Sequence, residues 1–150
     1  MDYKYIADNE SETIALAENI ESEHFPGMVI CLNGELGSGK TVFTKAFANA
    51  LGITDDVTSP TFNIIKEYPN GELPLNHMDV YRLEGNVDEL GLDDYFYGSG
   101  VTIIEWADMI ESYLPKERLD ITIKVTGEDS RVFILKPYGK VYEDICEAIL

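Results

Sequence analysis

The chain has 150 residues, of which 45% are hydrophobic and 11% aromatic, a composition that indicates one folded domain over residues 1–150 and excludes a disordered chain. Its 28 acidic and 11 basic residues give a formal net charge of −17, which disfavours direct binding to nucleic acid because phosphate affinity comes largely from cationic contacts. No apolar run is long enough to span a membrane and the N-terminus lacks a signal-peptide pattern, so we predict a cytoplasmic protein without a membrane segment.

Hydrophobic periodicity divides the chain into short helical and extended segments. The first half predicts an edge strand at 3–7, a helix from Asn9 or Ser11 to about residue 23, a strand at 28–33 and a helix at 40–51. The second half predicts an antiparallel hairpin over 61–80, short helices at 87–92 and 107–114, a buried strand at 101–104, a hairpin of 119–125 with 131–135, and a helix from about Val141. This order predicts an α/β fold whose mixed sheet is parallel at its centre and antiparallel at its edge hairpins.

A glycine-rich segment lies between the second predicted strand and the second predicted helix, and it reads Gly34-Glu35-Leu36-Gly37-Ser38-Gly39-Lys40-Thr41. Glycines let successive backbone N–H groups converge on a phosphate, and the N-terminus of the following helix directs further N–H groups at the same anion. We expect Lys40 to reach the β- and γ-phosphates and the Thr41 hydroxyl to bind Mg²⁺. The segment predicts a nucleoside triphosphate site on a three-layer P-loop NTPase fold.

A triphosphate site of this kind needs a second, acidic anchor for Mg²⁺ at the end of a strand beside the loop strand. Glu105 follows the apolar run 101–104, and Asp79 ends the less apolar segment 75–79. Glu105 is favoured for the metal, directly or through water, because its strand looks more central. Asp79 is then the candidate that orients or deprotonates the attacking water. For each acid the alternative is a solvated strand end.

Three further features admit two interpretations each. A hydroxyl of Thr58, Ser59 or Thr61 is placed where a switch segment would sense the γ-phosphate, although a simple turn explains the segment equally well. His77 is more typical of a strand histidine than of a catalytic one. Trp106 either packs in the core or lies near the nucleotide.

The order and spacing of four segments resemble the TsaE-type (YjeE-type) ATPases of bacterial tRNA threonylcarbamoyladenosine biosynthesis. The segments are the glycine-rich loop, Ser59-Pro60-Thr61-Phe62, His77-Met78-Asp79-Val80-Tyr81-Arg82-Leu83 and Glu105-Trp106, and the resemblance extends over about residues 10–135. It implies that ATP is bound by the segment from Leu36 to Thr41, that is, by Leu36, Gly37, Ser38, Gly39, Lys40 and Thr41. It also implies Mg²⁺ on Thr41 and Glu105, with Asp79 and Lys40 as the essential catalytic residues.

The resemblance further implies nucleotide contacts from Glu10, Asp108 and Arg131. Arg131 also has an argument of its own, because it is one of only three arginines able to meet phosphate or stack on a base. Members of this family do not make the modification themselves. They are similar in acting as ATPases that bind TsaB and TsaD and reset that pair between catalytic cycles, which implies these two partners and no direct contact with tRNA. The charge of −17 suits a basic partner surface, or serves solubility alone.

The main alternative function is a small-molecule kinase that uses the same loop. Such enzymes need cationic side chains on a lid to clamp the transferring phosphoryl group, and three arginines without an arginine-rich insertion argue against one. A GTPase is less favoured because the sequence lacks an Asn-Lys-x-Asp segment. A nucleotide-gated binding module with slow hydrolysis overlaps with the family interpretation.

Overall fold

The computed structural model describes residues 2–35, 37–58, 65–81 and 91–150. The strands are β1 (Tyr3–Ala7), β2 (Val29–Gly34), β3 (Ile65–Tyr68), β4 (Leu75–Asp79), β5 (Val101–Glu105), β6 (Arg118–Val125) and β7 (Arg131–Tyr138). The helices are α1 (Glu10–Glu21), α2 (Lys40–Ala50), α3 (Leu92–Phe96) and α4 (Lys140–Ile149), with a 3₁₀ segment at Ala107–Tyr113.

The described strands form one seven-stranded sheet in the order β1-β7-β6-β2-β5-β4-β3. The four central strands β6, β2, β5 and β4 run parallel to one another. At the edges, β7 is antiparallel to β6, β1 is antiparallel to β7, and β3 is antiparallel to β4. The predicted mixed sheet, parallel at its centre with antiparallel edge hairpins, is confirmed, and β1 is the edge strand that residues 3–7 predicted.

The two faces of the sheet are covered by helices of unequal size. Because side chains alternate along a strand, Ile30 and Leu32 of β2 pack with buried residues of α1, α2 and α4, while Val29 and Cys31 pack with α3 and the 3₁₀ segment. Cys31 is fully buried, as expected of a small core residue. The predicted three-layer arrangement is confirmed.

Several predicted boundaries hold and others are corrected. Asn9 is the N-cap of α1, where its side-chain oxygen accepts from the Glu12 N–H at 3.0 Å. The helix predicted at 107–114 is instead a 3₁₀ segment broken at Ile110, where φ is −127° and ψ is 35°. It is a short connection from the end of β5 to β6, and the tighter 3₁₀ geometry is common in such connectors.

The remaining predictions of secondary structure are only partly covered by the described residues. Residues 61–64 of the first predicted hairpin and 87–90 of the helix predicted at 87–92 lie outside them. The helix α3, which begins at Leu92, was not predicted. Among the described residues, none of the helices has the length and apolar character that a bilayer crossing demands.

Candidate functional site

The glycine-rich loop connects β2, which ends at Gly34, to α2, which begins at Lys40. Gly37 and Gly39 have φ angles of 78° and 111°, a left-handed conformation that side chains with a Cβ rarely adopt. No described heavy atom lies within 4 Å of a Cβ built on either glycine, so the space above these two backbone units is open. Leu36, also predicted to bind the nucleotide, lies outside the described residues. The backbone of the loop is therefore uncovered at these two glycines, directly before the N-terminus of α2, where an anion can bind.

The ammonium group of Lys40 lies under this loop rather than in solvent. The residue is 5% exposed, and its Nζ donates a hydrogen bond to the carbonyl oxygen of Gly34. The same Nζ lies 3.7 Å from the centroid of the Trp106 ring. Burial lowers the pKa of Lys40 below its ordinary value, and nearby carboxylates oppose that effect, namely those of Glu105, Asp79 and Asp108. The cation is therefore held at the loop with acidic groups around it.

The two acids predicted from the sequence lie side by side at the ends of neighbouring parallel strands. Asp79 of β4 is paired in register with Glu105 of β5, and Glu105 is paired with Leu32 of β2, the loop strand. Glu105 is 3% exposed, whereas Asp79 is half-buried and its Oδ1 accepts from the Tyr81 N–H at 3.0 Å. The structure thus brings Glu105, Asp79 and Lys40 together at one end of the sheet.

His77 holds Glu105 in position, a role that its place in the sequence did not indicate. It lies in β4, as expected of a strand histidine, and its Nε2 is 2.5 Å from Glu105 Oε2 with both side chains buried. Its Nδ1 has no hydrogen-bond partner among the described residues. A carboxylate accepts hydrogen bonds, so the contact requires a proton on Nε2 of His77. The one sequence signal for a place of His77 in the site is its two-residue spacing from Asp79, which puts both side chains on one face of the strand.

The guanidinium of Arg131 donates hydrogen bonds to backbone carbonyl oxygens of the glycine-rich loop. Its Nε donates to the Ser38 carbonyl at 2.9 Å and its Nη2 to the Gly37 carbonyl at 3.3 Å. Its Nη1 donates to carbonyl oxygens of the turn between β6 and β7, those of Gly127, Glu128 and Ser130. The guanidinium therefore ties the loop to this turn. A nucleotide contact by Arg131 stays a prediction.

Two other residues predicted to contact the nucleotide are exposed and lie at the same end of the sheet. Asp108 donates its backbone N–H to Asn33 Oδ1 at 3.1 Å, next to the start of the loop. Glu10 begins α1, three residues after Ala7, which is paired with Arg131. Their predicted contacts with the nucleotide stay predictions.

Of the hydroxyl groups that were predicted to sense a γ-phosphate, only Thr58 is described. It is exposed, and its Oγ1 accepts from Lys66 Nζ at 3.5 Å, at the long limit of a hydrogen bond. Ser59 and Thr61 lie outside the described residues. Which hydroxyl, if any, serves as the sensor stays a prediction.

The residues present fit a triphosphate with a divalent cation. The open loop backbone and the Lys40 ammonium suit a polyanion, and the oxygen donors of Thr41 and Glu105 suit Mg²⁺. Thr41 is an exposed residue in the first turn of α2, and Glu105 ends the strand next to β2. The arrangement can bind and orient a phosphate chain between the loop and the acids.

Comparisons with known proteins indicate the family of the chain. The family model for "Threonylcarbamoyl adenosine biosynthesis protein TsaE" matches residues 7–133, a range that includes the loop and both acids. The tRNA threonylcarbamoyladenosine biosynthesis protein TsaE of Bacillus subtilis is 53% identical over 141 residues, covering 94% of this chain and 89% of that protein. The protein of the same name from a Nostoc species is 35% identical over 146 residues, covering 94% of this chain and 89% of the relative.

A solved structure extends the comparison to the fold. The crystal structure of Bacillus subtilis YdiB is similar with a TM-score of 0.87 and 48% sequence identity, covering 99% of this chain and 94% of that one. The predicted fold is confirmed.

Proposed function

This chain belongs to the TsaE family, and we propose that it is an ATPase that binds Mg-ATP and supports tRNA N6-threonylcarbamoyladenosine modification by acting on the TsaB–TsaD complex. The observation that carries the proposal is the convergence of Lys40 with Glu105 and Asp79 beside the open glycine loop. The names of the relatives supply the pathway, and the loop chemistry supplies the reaction class.

The residues divide the work of phosphoryl transfer to water. The loop N–H groups and Lys40 bind the phosphate chain, and Thr41 with Glu105 hold the metal, directly or through water. Mg²⁺, when bound, neutralises negative charge on the phosphates. Asp79 is half-buried next to Glu105, and its carboxylate orients or deprotonates the attacking water.

The orientation of Glu105 depends on His77 and not on solvent. A carboxylate that is 3% exposed has little contact with water, and its hydrogen bond with His77 Nε2 orients it. Asp79 keeps part of its surface accessible to solvent, and a group that activates water requires such access. This difference in burial supports the assignment of Glu105 to the metal and Asp79 to the water.

The partner side of the proposal rests on charge. A chain with a net charge of −17 is attracted to a basic protein surface and repelled by a tRNA backbone. TsaB and TsaD, the partners that the resemblance implies, are therefore expected to present basic residues to this chain, and contact with tRNA is expected through them.

The test measures phosphate release from ATP by the purified chain, with and without TsaB and TsaD, in parallel with a screen for phosphorylated small-molecule acceptors. Partner-dependent phosphate release supports the proposal, while a phosphorylated acceptor supports the kinase alternative. Lys40→Ala is expected to abolish ATP-dependent thermal stabilisation, and Lys45→Ala, at an exposed position of the same helix, serves as the matched control. Undiminished stabilisation of Lys40→Ala by ATP would contradict nucleotide binding by the loop.

A further inference from the structure

Trp106 is held in a conformation that an aromatic residue rarely adopts. Its φ is 61° and its ψ is 34°, and among the described residues it is the one non-glycine position with a positive φ. The backbone is fixed on both sides, because its N–H donates to the Leu32 carbonyl and its carbonyl accepts from the Met109 N–H, each at 3.0 Å. A left-handed conformation costs free energy in a residue with a Cβ, so it persists only where the surroundings enforce it.

This backbone conformation accompanies a ring position beside the loop. The ring is half-buried, the Lys40 ammonium lies 3.7 Å from its centroid, and the Tyr81 ring packs on it at 4.6 Å with an interplanar angle of 38°. An indole face is the strongest aromatic acceptor for a cation, and the attraction grows when the cation is shielded from water. Lys40 meets that condition because it is 5% exposed.

We propose that Trp106 is a positioning residue for Lys40, and this inference rests on the proposed nucleotide function. An ammonium group has three N–H donors, of which one is used by the Gly34 carbonyl. The indole face attracts the positive charge and fixes the position of the ammonium group. It does so without occupying the place where a phosphate oxygen would bind. Lysine side chains lose much conformational freedom when they bind, and a pre-held ammonium has already lost it.

Two other roles for the ring make different predictions. A ring that only fills the core would influence folding without any dependence on Lys40. A ring that stacks on the nucleotide base would influence the binding of nucleosides but not of a bare phosphate chain. Positioning through Lys40 predicts an effect on both ATP and inorganic tripolyphosphate, because both bring phosphates to the ammonium.

The first experiment reads the contact without any ligand. Trp106 is the single tryptophan of the chain, so the intrinsic fluorescence of the protein reports on it alone. Lys40→Gln is expected to change the emission of the nucleotide-free protein, because the charge above the ring is removed. Lys45→Gln on the exposed side of α2 is the matched control and is expected to leave the spectrum as in the wild type. Identical spectra for all three proteins would overturn the proposal.

The second experiment measures affinity for Mg-ATP and for Mg-tripolyphosphate by calorimetry. Trp106→Leu is expected to weaken both by about tenfold, and Trp106→Phe, which retains an aromatic face, by about threefold. Circular dichroism and the melting temperature establish that each variant is folded, and Trp106→Phe carries the test if Trp106→Leu does not fold. Unchanged tripolyphosphate affinity in both variants would overturn the proposal, and if ATP affinity falls in the same variants the ring is assigned to the base.

Failure of the inference differs from failure of the proposed function. A wild-type protein that binds neither ATP nor tripolyphosphate contradicts the proposed function, whereas the fluorescence comparison of Lys40→Gln with Lys45→Gln still decides whether the ring and the ammonium interact. A wild-type protein that binds both ligands, with Trp106 variants that bind them equally well, contradicts the positioning role alone.

Discussion

Replacing His77 by phenylalanine is expected to destabilise the protein through Glu105. The histidine side chain is 1% exposed and the glutamate side chain 4% exposed, and their 2.5 Å contact is the one hydrogen bond described for that carboxylate. Phenylalanine fills a similar volume but donates nothing, so a buried carboxylate loses its donor. The loss of a donor to a buried charged group amounts to about 3 kcal/mol. For a domain of 150 residues this corresponds to a fall in melting temperature of roughly 6–12 °C.

The assay is thermal and urea unfolding of the nucleotide-free protein, with His77→Gln as the matched control. The glutamine Nε2 is reached through the same number of bonds as the histidine Nε2, so it keeps the donor near Glu105. We expect His77→Gln to retain most of the stability that His77→Phe loses. The Mg²⁺ concentration for half-maximal ATP binding is expected to rise by about tenfold in His77→Phe only, because an unheld carboxylate is a poorer metal ligand.

Two results would refute this reasoning. If the free energy of unfolding of His77→Phe is within about 0.5 kcal/mol of the wild-type value, the contact does not stabilise the buried carboxylate. If His77→Gln and His77→Phe are destabilised equally, the histidine contributes packing and not a hydrogen bond.

Four further predictions follow from the site, the surface and the core. Asp79→Asn is expected to reduce ATP hydrolysis by at least about 100-fold with ATP affinity nearly unchanged, and equal losses in single-turnover and binding assays would assign Asp79 to binding. The affinity for TsaB and TsaD is expected to fall from low to high ionic strength, and a salt-independent dissociation constant would rule out electrostatic attraction. Burial opposes the charged form of His24, but hydrogen bonds to Glu21 and nearby carboxylates outweigh it and raise the pKa of His24 above 6.5. The contribution of His24 to the stability of the fold is therefore full below about pH 6.5 and is lost as the pH rises through the raised pKa. The difference in urea midpoint between the wild type and His24→Gln is expected to shrink from about pH 6 to about pH 8. Tyr142→Phe is expected to cost about 2 kcal/mol in urea unfolding, because the Tyr142 hydroxyl accepts from the buried Val29 N–H at 2.9 Å, and a cost near zero would show that water replaces it.

Features of the chain that depend on neighbours in sequence were predictable. The apolar run at 101–104 predicted a central strand because a parallel strand is covered on both faces, and every residue of β5 is buried. The glycine spacing predicted the turn before α2 because only glycine adopts its φ angles readily. Residues 107–114 were predicted as a helix, and the structure has a 3₁₀ segment at Ala107–Tyr113 instead. This segment begins after Trp106, whose unusual φ no local pattern indicates.

The sequence alone therefore determined the loop, the strand that precedes it, the helix that follows it and the acids that end two strands. Tertiary structure alone decided that β4 lies next to β5 and β5 next to β2, and this order brings His77 to Glu105 and Lys40 to Trp106. It also decided that Arg131 donates to the carbonyl of Ser38, 93 residues away in the chain. The physical reason is that periodicity reports which face of a strand is buried, whereas the order of strands follows from packing the whole sheet between its two layers of helices.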